Sequence, residues 1–155
     1  MLRTIELATV PFDPTEHWRT FLARIDGTSG GVASYCGIVR DRFEGRAVES
    51  LELEHYPGMT EKSLERIVDK AAARWSLDAV AVVHRVGAVN AREPIVLVLV
   101  ASPHRDSAFA ACELIMDLLK TEAVFWKKER SATGERWVQS TARDVERAGS
   151  WDKRT

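Results

Sequence analysis

The chain has 155 residues, with 22 Lys plus Arg against 23 Asp plus Glu, and two cysteines. A chain of this length makes one domain with a core large enough to need no staples. The balanced charge excludes a polyanion-coating protein, the longest apolar run, residues 95–101, is too short to span a bilayer, and two cysteines make no disulfide framework.

The first ten residues carry Arg3 and Glu6 and lack an apolar stretch of signal-peptide length, so a cytoplasmic location is expected. Residues 3–10 read as a strand. Asp13-Pro14-Thr15-Glu16 opens a helix: Asp13 can cap, Pro14 suits the first helical position, and Glu16 stands where a capping box places its acid. Trp18, Phe21, Leu22 and Ile25 mark one apolar face, and Gly27, Gly30 and Gly31 end the helix. Residues 32–40 and 47–56 read as strands joined by a polar loop over 41–46. After the Pro57-Gly58 turn, Thr60 is expected to cap a second helix, with Met59 and Leu64 as a hydrophobic staple. Leu64, Ile67, Val68, Ala71 and Trp75 form its buried stripe.

Residues 79–86 and 94–101 read as further strands. The second is almost all Val, Leu and Ile, which predicts a central strand covered on both faces. A third helix runs from near Pro103 to about Lys120, with Ala108, Cys112, Ile115, Met116 and Leu119 inward. Phe125-Trp126-Lys127-Lys128, a turn at Thr133-Gly134, and a closing strand at Trp137-Val138 follow. Beyond Thr141 the composition turns polar, and this part is expected to fray. The order predicts an α+β fold with a mixed or antiparallel sheet and three main helices. The division is a single domain over 1–140 and a polar tail over 141–155.

Several residues can carry chemistry. Ser102-Pro103-His104-Arg105 puts two basic side chains at a helix N-terminus, where the helix dipole is already positive. A bound anion, met by helix amides and Arg105, accounts for this; a solvated arginine beside a capping histidine is the plain alternative. Lys120, at the other end of the helix, complements the dipole there. In an extended segment Lys127 and Lys128 point to opposite faces, so one enters a cleft while the other meets solvent. A lysine desolvated beside bulky apolar residues loses basicity and becomes usable as a base or nucleophile. Arg40 ends an apolar strand, either as an anion clamp or simply as its polar terminus. Cys36 and Cys112 lack a CxxC spacing and read as small core residues. His17, His55, His84 and His104 show no metal-ligand spacing, and no dinucleotide, P-loop or nucleophile-elbow motif occurs.

Taken in order, the following segments resemble the catalytic, large subunit of the molybdopterin synthase family: Gly37-Ile38-Val39-Arg40-Asp41, Leu53-Glu54-His55-Tyr56-Pro57-Gly58-Met59, Val83-His84-Arg85-Val86-Gly87, Ser102-Pro103-His104-Arg105 with Ala108-Phe109, and Leu119-Lys120 with Phe125-Trp126-Lys127-Lys128-Glu129, Gly134 and Trp137-Val138. The resemblance covers about residues 5–138. It implies an α/β-hammerhead fold, a homodimer, and at each end of the dimer a small ubiquitin-like subunit whose Gly-Gly terminus carries a thiocarboxylate. The implied substrate is cyclic pyranopterin monophosphate, which receives two sulfurs as the dithiolene of molybdopterin. No metal or cofactor is implied, since the sulfur arrives on the partner.

By the same resemblance Lys120 and Lys127 are the catalytic lysines. One assignment makes Lys120 the general acid/base and Lys127 the group that stabilises the oxyanion or holds the substrate; the exchanged assignment fits the sequence equally well. Substrate contacts are expected from Ile38, Val39, Arg40, His104, Arg105, Lys120, Lys127, Lys128 and Glu129. The chain departs from the family pattern at Ile38, where threonine is usual, at Val124, where proline is common, and at Tyr35, where phenylalanine is frequent. Two rival readings stand beside this one. A nucleic-acid module using Phe125-Trp126-Lys127-Lys128 is opposed by the near-zero net charge. A non-catalytic, dimeric pterin-phosphate binder has no use for two lysines.

Overall fold

In the computed structural model, which describes residues 1–153, β1 (Leu2–Ala8) lies parallel to β6 (Ala79–Arg85). Strand β6 pairs antiparallel with β8 (Pro94–Ser102), and β8 pairs antiparallel with β2 (Gly31–Ile38), giving a mixed sheet in the order β1-β6-β8-β2. The two inner strands are almost wholly aliphatic because both faces are covered, as the apolar run 94–101 anticipates. Strand alternation sorts their side chains. Val80, Val82, Val96, Val98 and Val100 pack with helices α2 (Met59–Ala72) and α3 (Arg105–Thr121). Ala79, Ala81, Val83, Leu97 and Leu99 pack on the opposite side with Phe21 of α1 (Pro14–Arg24).

A second sheet, all antiparallel, has the order β10 (Gly134–Val138), β9 (Phe125–Ser131), β5 (Ser50–His55) and β7 (Gly87–Asn90). Val39, Leu53 and Val89 form its small core, and Ile95 and Phe125 touch both this core and the main one, tying the sheets together. The polar loop 41–46 is a miniature hairpin, β3 (Arg42–Phe43) against β4 (Arg46–Ala47). Its turn residues, Glu44 and Gly45, have φ of 50° and 78°, the positive values that a two-residue hairpin turn needs.

The structure corrects several expectations. Asp13 caps α1 as read, accepting a hydrogen bond from the Thr15 amide at 2.8 Å. For α2, however, the cap is Gly58 at φ 83°, and Glu61 accepts from its amide at 2.6 Å. Thr60 is instead fully buried; its Oγ1 accepts from Tyr56 N at 2.9 Å and donates to Val124 O at 2.8 Å. Met59 is 61% exposed, so no staple forms with Leu64.

Cys112 is buried, but Cys36 is exposed, because β2 is the edge strand and its outer face is left uncovered. Gly30 is required where the chain approaches α3: a Cβ there would lie 2.2 Å from Pro103 O.

The expected fraying beyond Thr141 is also corrected. Helix α4 (Ala142–Ser150) is capped by a Thr141/Asp144 box and followed by a 3-10 turn over Trp151–Lys153. Trp151 is only 4% exposed, edge-on to Trp75, and its Nε1 donates to Asp117 Oδ2 at 2.8 Å. One aromatic anchor thus holds an otherwise polar helix against α3. Arg154 and Thr155, the end of the expected tail, lie outside the described residues. No helix among the described residues is long and apolar enough to cross a membrane.

Candidate functional site

An open groove follows the C-terminal half of α3, the inner face of β9, the end of β2 and the start of α4. Six of the expected site residues line it: Ile38, Val39, Arg40, Lys120, Lys127 and Glu129.

Strand alternation explains the β9 residues. Phe125, Lys127 and Glu129 share the inner face, opposite His55, Leu53 and Leu51 of β5. Apolar neighbours and partial burial hold the Lys127 amine below the ordinary lysine range. The Lys120 charge pushes the same way, and Asp144 opposes both. Glu129 is buried against the Arg136 guanidinium at 3.5 Å. Lys120, in the last turn of α3, is half-exposed, with Nζ 3.5 Å from Asp144 Oδ1. Burial would raise the Asp144 carboxyl, but hydrogen bonds from Thr141 and the charge of Lys120 hold it below the ordinary range.

Arg40 stands at the groove mouth, its guanidinium 5.8 Å from the centroid of the Phe43 ring, which Arg136 also approaches at 5.7 Å. Ile38 is 56% exposed beside a bulge at Gly37/Ile38, whereas Val39 is buried and holds Glu93 and Arg92 through its backbone.

Three expected substrate contacts are not brought into this groove. Lys128 follows the strand period to the outer face, where it lies 3.3 Å from Glu135 and over the Trp137 ring at 4.6 Å. His104 and Arg105 are exposed at the N-terminus of α3, and Lys120 lies fifteen helical steps beyond Arg105, a rise of roughly 22 Å. Within one chain, the basic pair and the lysines sit at opposite ends of the same helix.

One groove residue escaped the sequence reading. Beyond its place in the Val83–Gly87 segment, His84 enters the sequence reading as a metal-ligand candidate and not as a groove residue, yet positions 80, 82 and 84 of β6 share the face that packs on α2 and α3. It is 4% exposed, lines the groove, and stacks on Phe125 at 4.2 Å and 21°. Its Nδ1 lies 2.8 Å from Arg85 O. Burial, then the charge of Lys127, lower its pKa to about 3. Period-two reading of an otherwise apolar strand is the signal that finds it.

Chemically the groove offers one lysine whose ammonium is destabilised, one paired with a carboxylate, and an arginine at the mouth. Such a set can hold an anion, stabilise an oxyanion and move a proton.

Comparison with known proteins adds family evidence to this geometry. The family model described as "MoaE protein" matches residues 7–122. The chain is 44% identical over 149 residues to the "Molybdopterin synthase catalytic subunit" of Pseudomonas aeruginosa, covering 96% of this chain and 99% of that one. Its structure superposes on the "Molybdopterin biosynthesis MoaE protein" of Burkholderia ambifaria with a TM-score of 0.81 and 44% identity, covering 97% and 99% of the two chains. The same fold recurs, at 18% identity, TM-score 0.68 and 92% coverage of each chain, in the "Protein-protein complex of subunit 1 and 2 of Molybdopterin-converting factor" from Helicobacter pylori.

Proposed function

This chain belongs to the MoaE protein family, and we propose that its groove receives a pterin phosphate together with the sulfur-bearing tail of a small partner subunit. The chain is an enzyme of molybdenum cofactor biosynthesis, the sulfur-transferring catalytic subunit of a molybdopterin synthase. A small subunit is its partner, in keeping with the two-subunit complex of the Helicobacter pylori neighbour.

The observation that carries the reading is the pairing of two lysines with unequal surroundings in one groove. The partner's tail brings sulfur as a thiocarboxylate. Each sulfur bonds to a side-chain carbon of the pterin in place of an oxygen, which is lost as water from the carbonyl carbon and, at the other carbon, stays on phosphorus as the cyclic phosphate opens; the acyl carbon–sulfur bond is then broken by water through a tetrahedral oxyanion. Lys127, whose ammonium is destabilised, suits the proton transfer: its free amine takes the proton of the attacking water. Lys120, paired and half-exposed, suits the oxyanion. This is the exchanged one of the two assignments that the sequence leaves open. Collapse leaves the tail as a carboxylate and the sulfur on the pterin, and a second round completes the dithiolene. Arg40 at the mouth suits the substrate phosphate.

The remaining basic pair supports a homodimer. His104 and Arg105 of one chain are too far from its own lysines to share a ligand with them, but a second copy would bring this exposed pair to the groove of the first.

Incubation with thiocarboxylated small subunit and cyclic pyranopterin monophosphate is expected to yield the dithiolene. Lys120→Ala and Lys127→Ala are each expected to lower the rate by about 100-fold or more. Near-normal turnover in both variants would sink the site. Mixing Arg105→Ala chains with Lys127→Ala chains tests the shared site: mixed dimers keep one intact groove, so about a quarter of normal activity returns. No recovery on mixing would place Arg105 outside the partner's groove.

A further inference from the structure

His84 is a buried polar group of the groove that the proposed sulfur transfer does not use. Its surroundings define its protonation state geometrically. Arg85 O is a carbonyl and only accepts, so the Nδ1 that meets it at 2.8 Å carries the ring proton and donates. Nε2 is therefore a bare lone pair. It takes no hydrogen bond from any of the described residues. Nor is it sealed in the core: the ring lines the groove, and among the described residues the enclosed side-chain atoms without a partner are Arg85 Nε and Arg136 Nε, not His84 Nε2. The stack on Phe125 fixes the plane of the ring, so the lone pair has a set direction.

We propose that His84 Nε2 is a hydrogen-bond acceptor for a ring N–H of the pterin substrate, on the groove wall beside Phe125. The proposal rests on the pterin reading given above. It also orients the substrate. Phosphate oxygens only accept, so they gain nothing from Nε2 and belong with Arg40 and Lys120 at the exposed end. A pterin ring, rich in N–H donors, matches a neutral acceptor lodged among apolar side chains. A carboxylate would do the same task at a much larger desolvation cost. Burial, and after it the charge of Lys127, keep the imidazole from taking a second proton, and the groove acids Asp144 and Glu129 are already engaged by Lys120 and Arg136. The acceptor is thus present throughout the physiological pH range.

The test measures binding of cyclic pyranopterin monophosphate to the full chain without the small subunit, so that no turnover occurs. His84→Phe keeps the aromatic stack and loses the acceptor; His84→Gln places an amide oxygen near the position of Nε2. Phe is expected to weaken binding by roughly ten-fold, and Gln to restore most of it. In wild-type protein carrying 15N-labelled histidine, the unprotonated Nε2 signal of His84 is expected to move upfield when substrate is added. Equal affinity of wild type and the Phe variant would overturn the proposal. So would a His84 signal that stays still while substrate binds, a result that does not depend on any variant folding. Failure of the wild type to bind the pterin at all would instead overturn the functional reading on which this one rests.

Discussion

Lys120 Nζ lies 3.5 Å from Asp144 Oδ1, an ion pair that joins the last turn of α3 to the first turn of α4 at the groove rim. Its lysine is half-exposed, so the pair adds at most about 1 kcal/mol to stability. Its larger effect is on Lys127. The Asp144 charge favours the Lys127 ammonium, against burial and Lys120. Asp144→Asn removes that charge while keeping a capping side chain for Thr141. The Lys127 pKa is then expected to fall further, and the rising limb of the rate–pH profile to move to lower pH. A limb that stays in place would show that Lys127 does not control it.

The depressed Lys127 pKa has a kinetic signature of its own. If the free amine takes the proton, the rate rises with pH and levels off above the Lys127 pKa, which lies below 10.5. Lys127→Arg keeps the positive charge but cannot release a proton. It is expected to bind the pterin phosphate nearly as well as wild type while kcat falls by about 100-fold or more. Substantial activity in the arginine variant would reassign Lys127 to charge stabilisation.

His84 links stability to acid. Its folded pKa of about 3 lies below the 6.5 of the unfolded chain, so between those values the unfolded state binds a proton that the folded state refuses. The associated stability is complete above pH 6.5 and drains away as pH falls toward 3, by up to about 5 kcal/mol. Urea unfolding of wild type and His84→Phe at pH 7 and pH 4 checks this. The wild type is expected to lose stability relative to the variant on acidification. A constant difference would show that the folded imidazole takes a proton readily.

Trp151 anchors the C-terminal helix. Replacing it with alanine removes the contact with Trp75 and the indole hydrogen bond to Asp117, leaving that buried carboxylate to Arg147. The expected cost is about 3 kcal/mol. Trp151→Phe, which keeps most of the buried area, is expected to lose less. Equal unfolding midpoints for all three proteins would show that α4 contributes nothing to the global fold.

Much of the fold was legible from periodicity alone. The stripe Leu64, Ile67, Val68, Ala71 and the continuous run 94–101 declare their burial, because a helix or a strand has only one way to hide such patterns. Other features were written in the sequence and passed over. Thr141 with Asp144 is a capping box, so the tail carried its own helix signal. Thr60 and Val124 belong to a different class. The Val124 amide donates to Ser63 Oγ at 3.1 Å, a bond that proline could not make, while Thr60 Oγ1 donates to the Val124 carbonyl. More than sixty residues separate these partners, and no local pattern announces them.

The sequence by itself determined which side chains each element shows to each face. The two-residue period puts Lys127 and Lys128 on opposite faces, and the α3 stripe lies along one side of its helix, because these are properties of single elements. Only the tertiary structure decided which faces meet. It set β9 beside the end of α3, so that Lys127 joins Lys120 and His84 in one groove, and it left His104 and Arg105 a full helix length away. Basicity followed from that placement, since desolvation and neighbouring charge act through space rather than along the chain.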